Sequence, residues 1–290
     1  MSAIEVISPG PFATIQDLGR PGLAHLGVPR SGAADLVSMT LANRLVGNRE
    51  SAAVIEATLG GIRIRAMRGL VIAVTGAGAQ VRVDDVPVGL GTTVTVAAGS
   101  ELAVSAPTWG CRNYVAVRGG IDVGEVLGSR STDTLSGLGP PPLSASDLLE
   151  VGAETGPWPA VTHAPVEATP PTVVELDASA GPRSGHLHRV GDLMVGEWEV
   201  SADADRVGVR LVRPDGSDHP LLHHRADVGE LASEGVAHGA VQVPPNGQPV
   251  LFLADHPVTG GYPVVAVLTA GALARAAQLV AGNRVRFRSR

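Results

Sequence analysis

Apolar residues along this chain recur mainly at every second position or in short runs, which is the pattern of β-strands. From about residue 54 to 118 the alternation predicts strands at 70–74, 80–83, 92–96, 101–105 and 113–117. They follow one another with no helix between them, so antiparallel pairing is expected. Asp84-Asp85 falls between two short strands and suits a hairpin turn. After a Pro-, Thr- and Ala-rich stretch the pattern resumes at 172–176, 198–200, 207–211, 250–253, 264–268 and 284–288.

Helical spacing is rare. Ala34, Val37, Leu41 and Leu45 share one face of an early helix, with Ser31 as its cap and Gly47 beyond its end. A second short helix is expected near Leu273, Ala276, Ala277 and Val280. The fold class is therefore mostly β, barrel-like, with a few short helices. The expected organisation is an N-terminal β subdomain over 1–155, a linker or crossing loop over 156–172, and a C-terminal β subdomain over 173–290.

Composition sharpens this picture. With 290 residues, 44% hydrophobic and 17% charged, the chain can bury a real core without staples. Aromatics make up only 3%, while Gly (37) and Pro (22) are frequent, which favours turns and short strands. A net charge of −6 with so few aromatics provides neither a phosphate-binding field nor stacking platforms, so nucleic acid is not expected as a partner. No apolar run approaches the roughly 18 residues of a membrane span, and Met1-Ser2-Ala3-Ile4-Glu5 lacks a basic leader, so a cytoplasmic protein is expected. Every basic residue among the 22 counted is arginine; there is no lysine. A Walker A loop, a Schiff-base lysine and a biotin-bearing lysine are thereby excluded from this chain.

Several groups invite chemistry. Seven histidines fall between 186 and 256: His186, His188, His219, His223, His224, His238 and His256. His186 and His188 with Asp192 are a conceivable metal set, but scattered loop histidines explain them better, and no metal is expected. Cys111 precedes Arg112, which would lower a thiol pKa; with no base nearby in sequence, a buried apolar cysteine is the preferred reading. Thr75-Gly76-Ala77-Gly78-Ala79 reads as a hairpin turn rather than a dinucleotide loop. Gly128-Ser129-Arg130-Ser131-Thr132-Asp133 could form a backbone nest in which Arg130, Ser131 and Thr132 hold a phosphate or carboxylate; an ordinary turn is the alternative.

Taken in order, many segments resemble one family. They include Gln16-Asp17-Leu18-Gly19-Arg20, Gly32-Ala33-Ala34-Asp35, Ala42-Asn43-Arg44-Leu45-Val46-Gly47-Asn48, Glu56-Ala57-Thr58-Leu59-Gly60-Gly61 and Tyr114-Val115-Ala116-Val117-Arg118-Gly119-Gly120. Leu127-Gly128-Ser129-Arg130-Ser131-Thr132, Asp205-Arg206-Val207-Gly208, the 233–249 segment and Thr259-Gly260-Gly261-Tyr262-Pro263 complete the set. This resembles the carboxyltransferase-type subunits known as allophanate hydrolase subunit 2 and KipA, and the corresponding subunit of ATP-dependent 5-oxoprolinase. The resemblance implies antiparallel β-barrel subdomains of cyclophilin-like type and a smaller KipI-like partner. A third, lactam-hydrolysing subunit and a small amide substrate, most notably 5-oxoproline, are implied as well. ATP is implied as a ligand at or near the partner interface, and biotin only on another chain. The alternatives are the carboxyltransferase half of a biotin-dependent urea or amide carboxylase, and a regulatory protein that sequesters a kinase inhibitor. Within the matched motifs, Arg112 and Arg130 are candidates for an anion clamp. Asp35, Glu234 and Asp255 are candidate bases or orienting groups, and Gln242, Thr259 and Tyr262 candidate hydrogen-bonding residues. One departure is Pro257-Val258-Thr259, where the family usually has Gln-Thr-Thr.

Overall fold

A computed structural model describes residues 2–153, 156–166 and 171–290. Part of the expected 156–172 crossing segment therefore lies outside the described residues. Contacts divide the chain into two compact units: residues 1–20, 31–133 and 137–170, and residues 21–30, 134–136 and 171–290.

The first unit holds β1 (Ile4–Pro9), β2 (Phe12–Gln16), helix α1 (Leu36–Leu45), β3 (Val54–Thr58), β4 (Ile62–Ala66) and β5 (Leu70–Gly76). It continues with β6 (Val81–Val83), β7 (Val86–Val88), β8 (Thr93–Val96), β9 (Glu101–Val104), β10 (Arg112–Val117), β11 (Ile121–Asp122) and β12 (Leu148–Val151). These strands form a seven-stranded sheet ordered β11-β12-β1-β4-β9-β6-β7 and a five-stranded sheet ordered β2-β3-β10-β5-β8. One apolar cluster, including Ile4, Ile15, Ile55, Ile64, Ile72, Leu102 and Val115, draws from both sheets. Alternate residues of each strand supply it, as the pleat requires. The Asp84-Asp85 hairpin is present: Val83 pairs with Val86, and both turn residues have positive φ (47° and 65°). That is the backbone a tight primed turn demands, and Asp tolerates it better than most side chains.

Helix α1 begins later than the sequence suggests. Asp35, not Ser31, is its N-cap, and Val37 is 56% exposed rather than part of the buried face. The buried residues of the helix are Met39, Ala42, Asn43 and Leu45, with the C-cap Val46 buried beyond them; of the expected face, Leu45 is buried as predicted. Asn43 hides this face from a hydrophobicity reading. It is buried because its side-chain amide donates to the carbonyls of Ala52 (2.8 Å) and Glu50 (3.3 Å).

The second unit is a closed barrel. Its strands are β13 (Val173–Ala180), β14 (Trp198–Ala204), β15 (Gly208–Val212), β17 (Ala240–Gln242), β18 (Val250–Phe252), β20 (Val264–Leu268) and β21 (Arg284–Ser289). A small hairpin of β16 (Glu234–Gly235) with β19 (Thr259–Gly260) and helix α2 (Ala270–Ala276) complete it. The barrel order is β13-β20-β17-β18-β15-β14-β21. Closure runs through β13 and β21, which pair in parallel from Val173↔Arg284 to Ala178↔Ser289. The expected antiparallel pairing thus holds along the barrel except at this seam, where the first and last strands meet. The barrel interior is filled by Trp198, Leu176, Leu211, Leu251, Val265 and Phe287, with Trp198 fully buried. The Trp198 indole N–H donates to Leu193 O at 3.0 Å, and the Arg213 guanidinium lies 3.5 Å over the ring. Among the described residues no helix is long and apolar enough to cross a membrane.

Candidate functional site

Three polar clusters gather the residues singled out in the sequence, two in the first unit and one in the barrel unit.

The first cluster surrounds β10. Arg112 is buried beside the equally buried Glu56, with an Arg112 Nε to Glu56 Oε1 separation of 3.6 Å. The other Glu56 oxygen accepts the Ala34 N–H at 2.9 Å. Arg112 also donates to Cys111 Sγ at 3.2 Å. Burial pushes the Cys111 thiol up; Arg112 opposes that but does not overcome it. Cys111 is therefore a protonated, enclosed thiol. Asp35 lies nearby and accepts from Ser38 N (3.0 Å) and Ser38 Oγ (2.6 Å), holding the start of α1, while its own N–H donates to Tyr114 Oη at 2.8 Å. Cap bonding of this type stabilises by about 1–2 kcal/mol. Asp35→Ala is accordingly expected to lower stability by about that amount, read as reduced hydrogen-exchange protection at the start of α1.

The second cluster is the nest at 128–132, and it does hold a carboxylate. That carboxylate is the chain's own Asp17. Ser129 Oγ and Ser131 Oγ both donate to Asp17 Oδ1 at 2.6 Å, and Arg130 N donates to Oδ2 at 2.7 Å. Gly19 N adds a fourth bond at 2.8 Å. The Arg130 side chain turns away from the nest to Glu125, to Asp122 (3.1 Å) and to Val123 O (2.8 Å). Thr132 Oγ1 donates to Pro140 O at 2.9 Å. These groups brace loops against one another, and the bonds they form are internal.

The third cluster sits in the barrel unit. Strand β16 pairs with β19 (Glu234↔Gly260, Gly235↔Thr259), which brings the 233–249 and 255–263 segments together. The Gln242 amide donates to Tyr262 O at 3.0 Å. A Cβ on Gly260 would lie 2.8 Å from Gln242 Nε2, so the absence of a side chain there is what lets the hairpin close over Gln242. Thr259 and Tyr262 are exposed above it, Tyr262 by 46%. Glu234 forms a two-pronged pair with Arg183, Arg183 Nη2 to Oε2 being 2.7 Å, and that bonding lowers the Glu234 pKa.

Asp255, four residues before β19, is wholly buried. Arg206 donates to it through Nε and Nη2, both at 2.9 Å, and Thr134 donates through N (2.9 Å) and Oγ1 (2.6 Å). Burial alone would raise the carboxyl pKa; the charge of Arg206 and the bonds from Arg206 and Thr134 outweigh it and hold it below the ordinary value. Next along the chain, His256 is stacked with His238, ring centroids 5.8 Å apart at 17°. The two departures at 257 and 258 act here through backbone carbonyls alone. Pro257 O meets His256 Nδ1 at 2.9 Å and Val258 O accepts Val236 N at 2.9 Å.

Of the residues expected to act, the structure gathers Asp35 and Arg112 around Tyr114 and Glu234, Gln242, Thr259 and Tyr262 around the β16–β19 hairpin; it gives Arg130, Ser131 and Thr132 separate partners and holds Asp255 on Arg206 and Thr134. The His238–His256 pair was missed, because the sequence presents these residues as two of seven scattered histidines. Its only sequence signal is placement: each lies three residues from a strand of the β16–β19 hairpin. Elsewhere in the barrel unit, His188, Arg189, Asp192, Pro220, His223 and His224 line an open cavity of about 550 Å³. Among the described residues no group of three or more His, Cys, Asp or Glu is placed to hold a metal ion.

Comparison with known proteins places this architecture. Residues 26–289 match the family model described as carboxyltransferase domain, subdomain A and B. The chain is 33% identical to a 5-oxoprolinase subunit of Escherichia coli over 98% of its own length and 90% of that protein. It is also 33% identical to the urea amidolyase of Lachancea kluyveri, over 98% of its length but only 17% of that much longer protein. The crystal structure of Kluyveromyces lactis urea amidolyase superposes with a TM-score of 0.90 at 30% identity, covering 99% of this chain and 18% of that one. Fold, order of motifs and identity across nearly the whole length agree, and the chain belongs to the carboxyltransferase-domain family represented in 5-oxoprolinase and urea amidolyase.

Proposed function

We propose that this chain is one component of an ATP-dependent 5-oxoprolinase, acting on a small lactam together with a smaller KipI-like partner and a third, lactam-hydrolysing subunit. The observation that carries the reading is the likeness to the Escherichia coli 5-oxoprolinase subunit, which extends over 90% of that protein. The internal chemistry is consistent with shared work. The candidate clamp arginines Arg112 and Arg130 already meet Glu56, Asp122 and Glu125. The loop best suited to phosphate is filled by Asp17. Residues 128–132 therefore do not fit ATP, and we assign its phosphates to a partner chain. This chain supplies a barrel unit whose hairpin region presents Thr259 and Tyr262 to substrate.

The test is ATP-dependent 5-oxoproline hydrolysis, assayed with this chain alone and then with its co-encoded partner subunits. Turnover is expected only in the full mixture. Hydrolysis by the single chain would overturn the shared-site claim, and a stable complex without turnover would overturn the 5-oxoprolinase reading.

A second reading has its own support in the matches to urea amidolyase and to the putative urea carboxylase of Emericella nidulans, at 33% and 32% identity across almost the whole chain. Under it, the chain is the carboxyltransferase half of a urea or amide carboxylase. With no lysine here, the biotin would arrive on another chain. Carboxylation of urea by the assembled complex, dependent on a biotinylated partner, separates the two.

A further inference from the structure

The open cavity of the barrel unit has a fixed frame. It holds about 550 Å³ and is lined by His188, Arg189, Asp192, Pro220, His223 and His224, and that volume lies in the range of small-molecule sites. Its two walls are joined by backbone pairing: His188 N donates to His223 O at 3.0 Å, and Leu187 bridges to His224. Arg213 fastens both walls to the barrel core. Its guanidinium donates to Asp192 O on one wall (3.0 Å) and to Pro220 O on the other (2.9 and 3.0 Å), and it is the group that stacks on Trp198. A ligand therefore meets walls that are already in place, which lowers the cost of binding.

The lining carries one guanidinium and one carboxylate that do not meet. Asp192 N donates to Arg189 O at 3.0 Å in a 3₁₀ turn, a geometry that puts side chains three apart on one side. Arg189 and Asp192 nevertheless form no ion pair, and neither side chain has a hydrogen-bond partner among the described residues. The charge of Asp192 acts on Arg213. Yet the Arg213 N–H groups are all taken by the carbonyls of Asp192, Val195, Glu197 and Pro220, so the Asp192 carboxylate accepts no bond from it. Two guanidiniums thus stand against one carboxylate, an excess of one positive charge, while Arg225 and Asp227 pair with each other. The imidazoles add neutral polar groups. His224 Nε2 lies 2.8 Å from Val243 O and donates to it, which leaves Nδ1 of the neutral ring as an acceptor.

We propose that this cavity binds a small acidic amino acid as its zwitterion, with a carboxylate paired to Arg189, the ammonium paired to Asp192 and a second carboxylate taking N–H bonds from the imidazoles. Separate, unpaired charges of both signs in one cavity call for a ligand that carries both, and the positive excess calls for one net negative charge. A simple carboxylate would leave Asp192 unanswered, and no three of the lining groups are placed to hold a metal ion. The inference rests on the lactam reading for the choice of amino acid. Hydrolysis of a lactam breaks its C–N bond, makes the carbonyl carbon a carboxylate and leaves the nitrogen as an amine that takes up a proton. Opening 5-oxoproline gives glutamate, with two carboxylates and one ammonium. The lactam has no cation for Asp192, so the cavity is a site for product rather than for substrate.

The experiment is calorimetric titration of the full chain, at physiological ionic strength, with glutamate, with glutarate (the same dicarboxylate without the ammonium) and with 5-oxoproline. Glutamate is expected to bind about tenfold or more tightly than either of the others. Histidine-ring spectra recorded alongside should show His188, His223 and His224 moving with glutamate while His163, in the first unit, stays in place. Arg189→Gln should weaken glutamate and glutarate alike, by about tenfold or more. Its melting temperature should not change, since Arg189 is exposed and has no bond to lose among the described residues. Asp192→Asn should weaken glutamate alone and erase its preference over glutarate. Equal affinity for glutamate and glutarate, ring shifts absent from the three cavity histidines, or glutamate binding unaltered by Arg189→Gln overturns the site. Glutamate binding at Arg189 and Asp192 without 5-oxoproline hydrolysis by the assembled complex keeps the site and discards the lactam reading. Hydrolysis by the complex with no glutamate binding to this chain does the reverse.

Discussion

Replacing Asp255 by Asn should destabilise the barrel unit by about 3–5 kcal/mol, because it leaves a buried arginine without its counter-charge. Arg206 is 3% exposed and Asp255 fully enclosed, so no water can substitute for the lost partner. The amide introduced at position 255 could accept one of the two Arg206 bonds but would lack the charge, and Thr134 would lose a strong acceptor. Hydrogen exchange should show protection falling across β15, β18 and β20 before the sheets of the first unit respond. The double change Arg206→Gln with Asp255→Asn should recover a large part of the loss, since it removes the uncompensated charge. A double variant as unstable as the sum of the singles would show that shape, not charge, decides the site. The pH dependence follows from the lowered pKa of Asp255. A carboxyl whose folded pKa is lowered contributes stability that is fully present above its ordinary value of 3.8 and is lost as pH falls through the folded value. The acid limb of the melting profile below that value should therefore be shallower in Asp255→Asn than in the parent chain.

Replacing Asp17 by Ala should cost about 3 kcal/mol in the first unit, from several buried donors losing one shared acceptor at about 1 kcal/mol each. Ser129 Oγ, Ser131 Oγ, Arg130 N and Gly19 N all converge on this carboxylate, and Asp17 N is in turn held by Ser131 Oγ at 2.9 Å. The loss should be local. Exchange protection should fall at 126–139 and at 16–20, while β4, β9 and β6 keep theirs. If the nest were instead an anion site that Asp17 merely occupies, Asp17→Ala would create affinity for inorganic phosphate with little loss of stability. Melting with and without phosphate separates the two outcomes.

These two sites also show how far sequence reading reaches. The alternation of apolar residues marked the strands β5, β9, β10 and β20 closely, because the pleat turns a two-residue period into one buried face. The Asp84-Asp85 hairpin was legible because two residues must supply the whole reversal. The start of α1 was misplaced because Ser31 and Asp35 are both good caps by type. Only the side chain that actually reaches Ser38 N decides between them. The buried face of α1 was misread in part because Asn43, a polar residue, fills one of its positions by bonding to a turn that the helix itself does not define.

The candidate site divides in the same way. Its segments, 233–249 and 255–263, were visible as glycine- and proline-dense loops between apolar strands. The roles of individual charged groups were not. Arg112 and Arg130 looked available as clamps, yet each found carboxylates within its own unit.

The sequence by itself determined the strand-rich fold class, the absence of lysine chemistry and, through its ordered motifs, the family. Each rests on local pattern or on residue type, which a chain carries before it folds. Tertiary structure alone decided the charge pairing: Arg206 with Asp255 across 49 residues, Thr134 with Asp255 across 121, and Ser131 with Asp17 across 114. It also decided the parallel seam of β13 with β21 that closes the barrel. A charged side chain specifies what kind of partner it needs but not where that partner lies. Only the folded chain fixes the distances at which a guanidinium and a carboxylate meet.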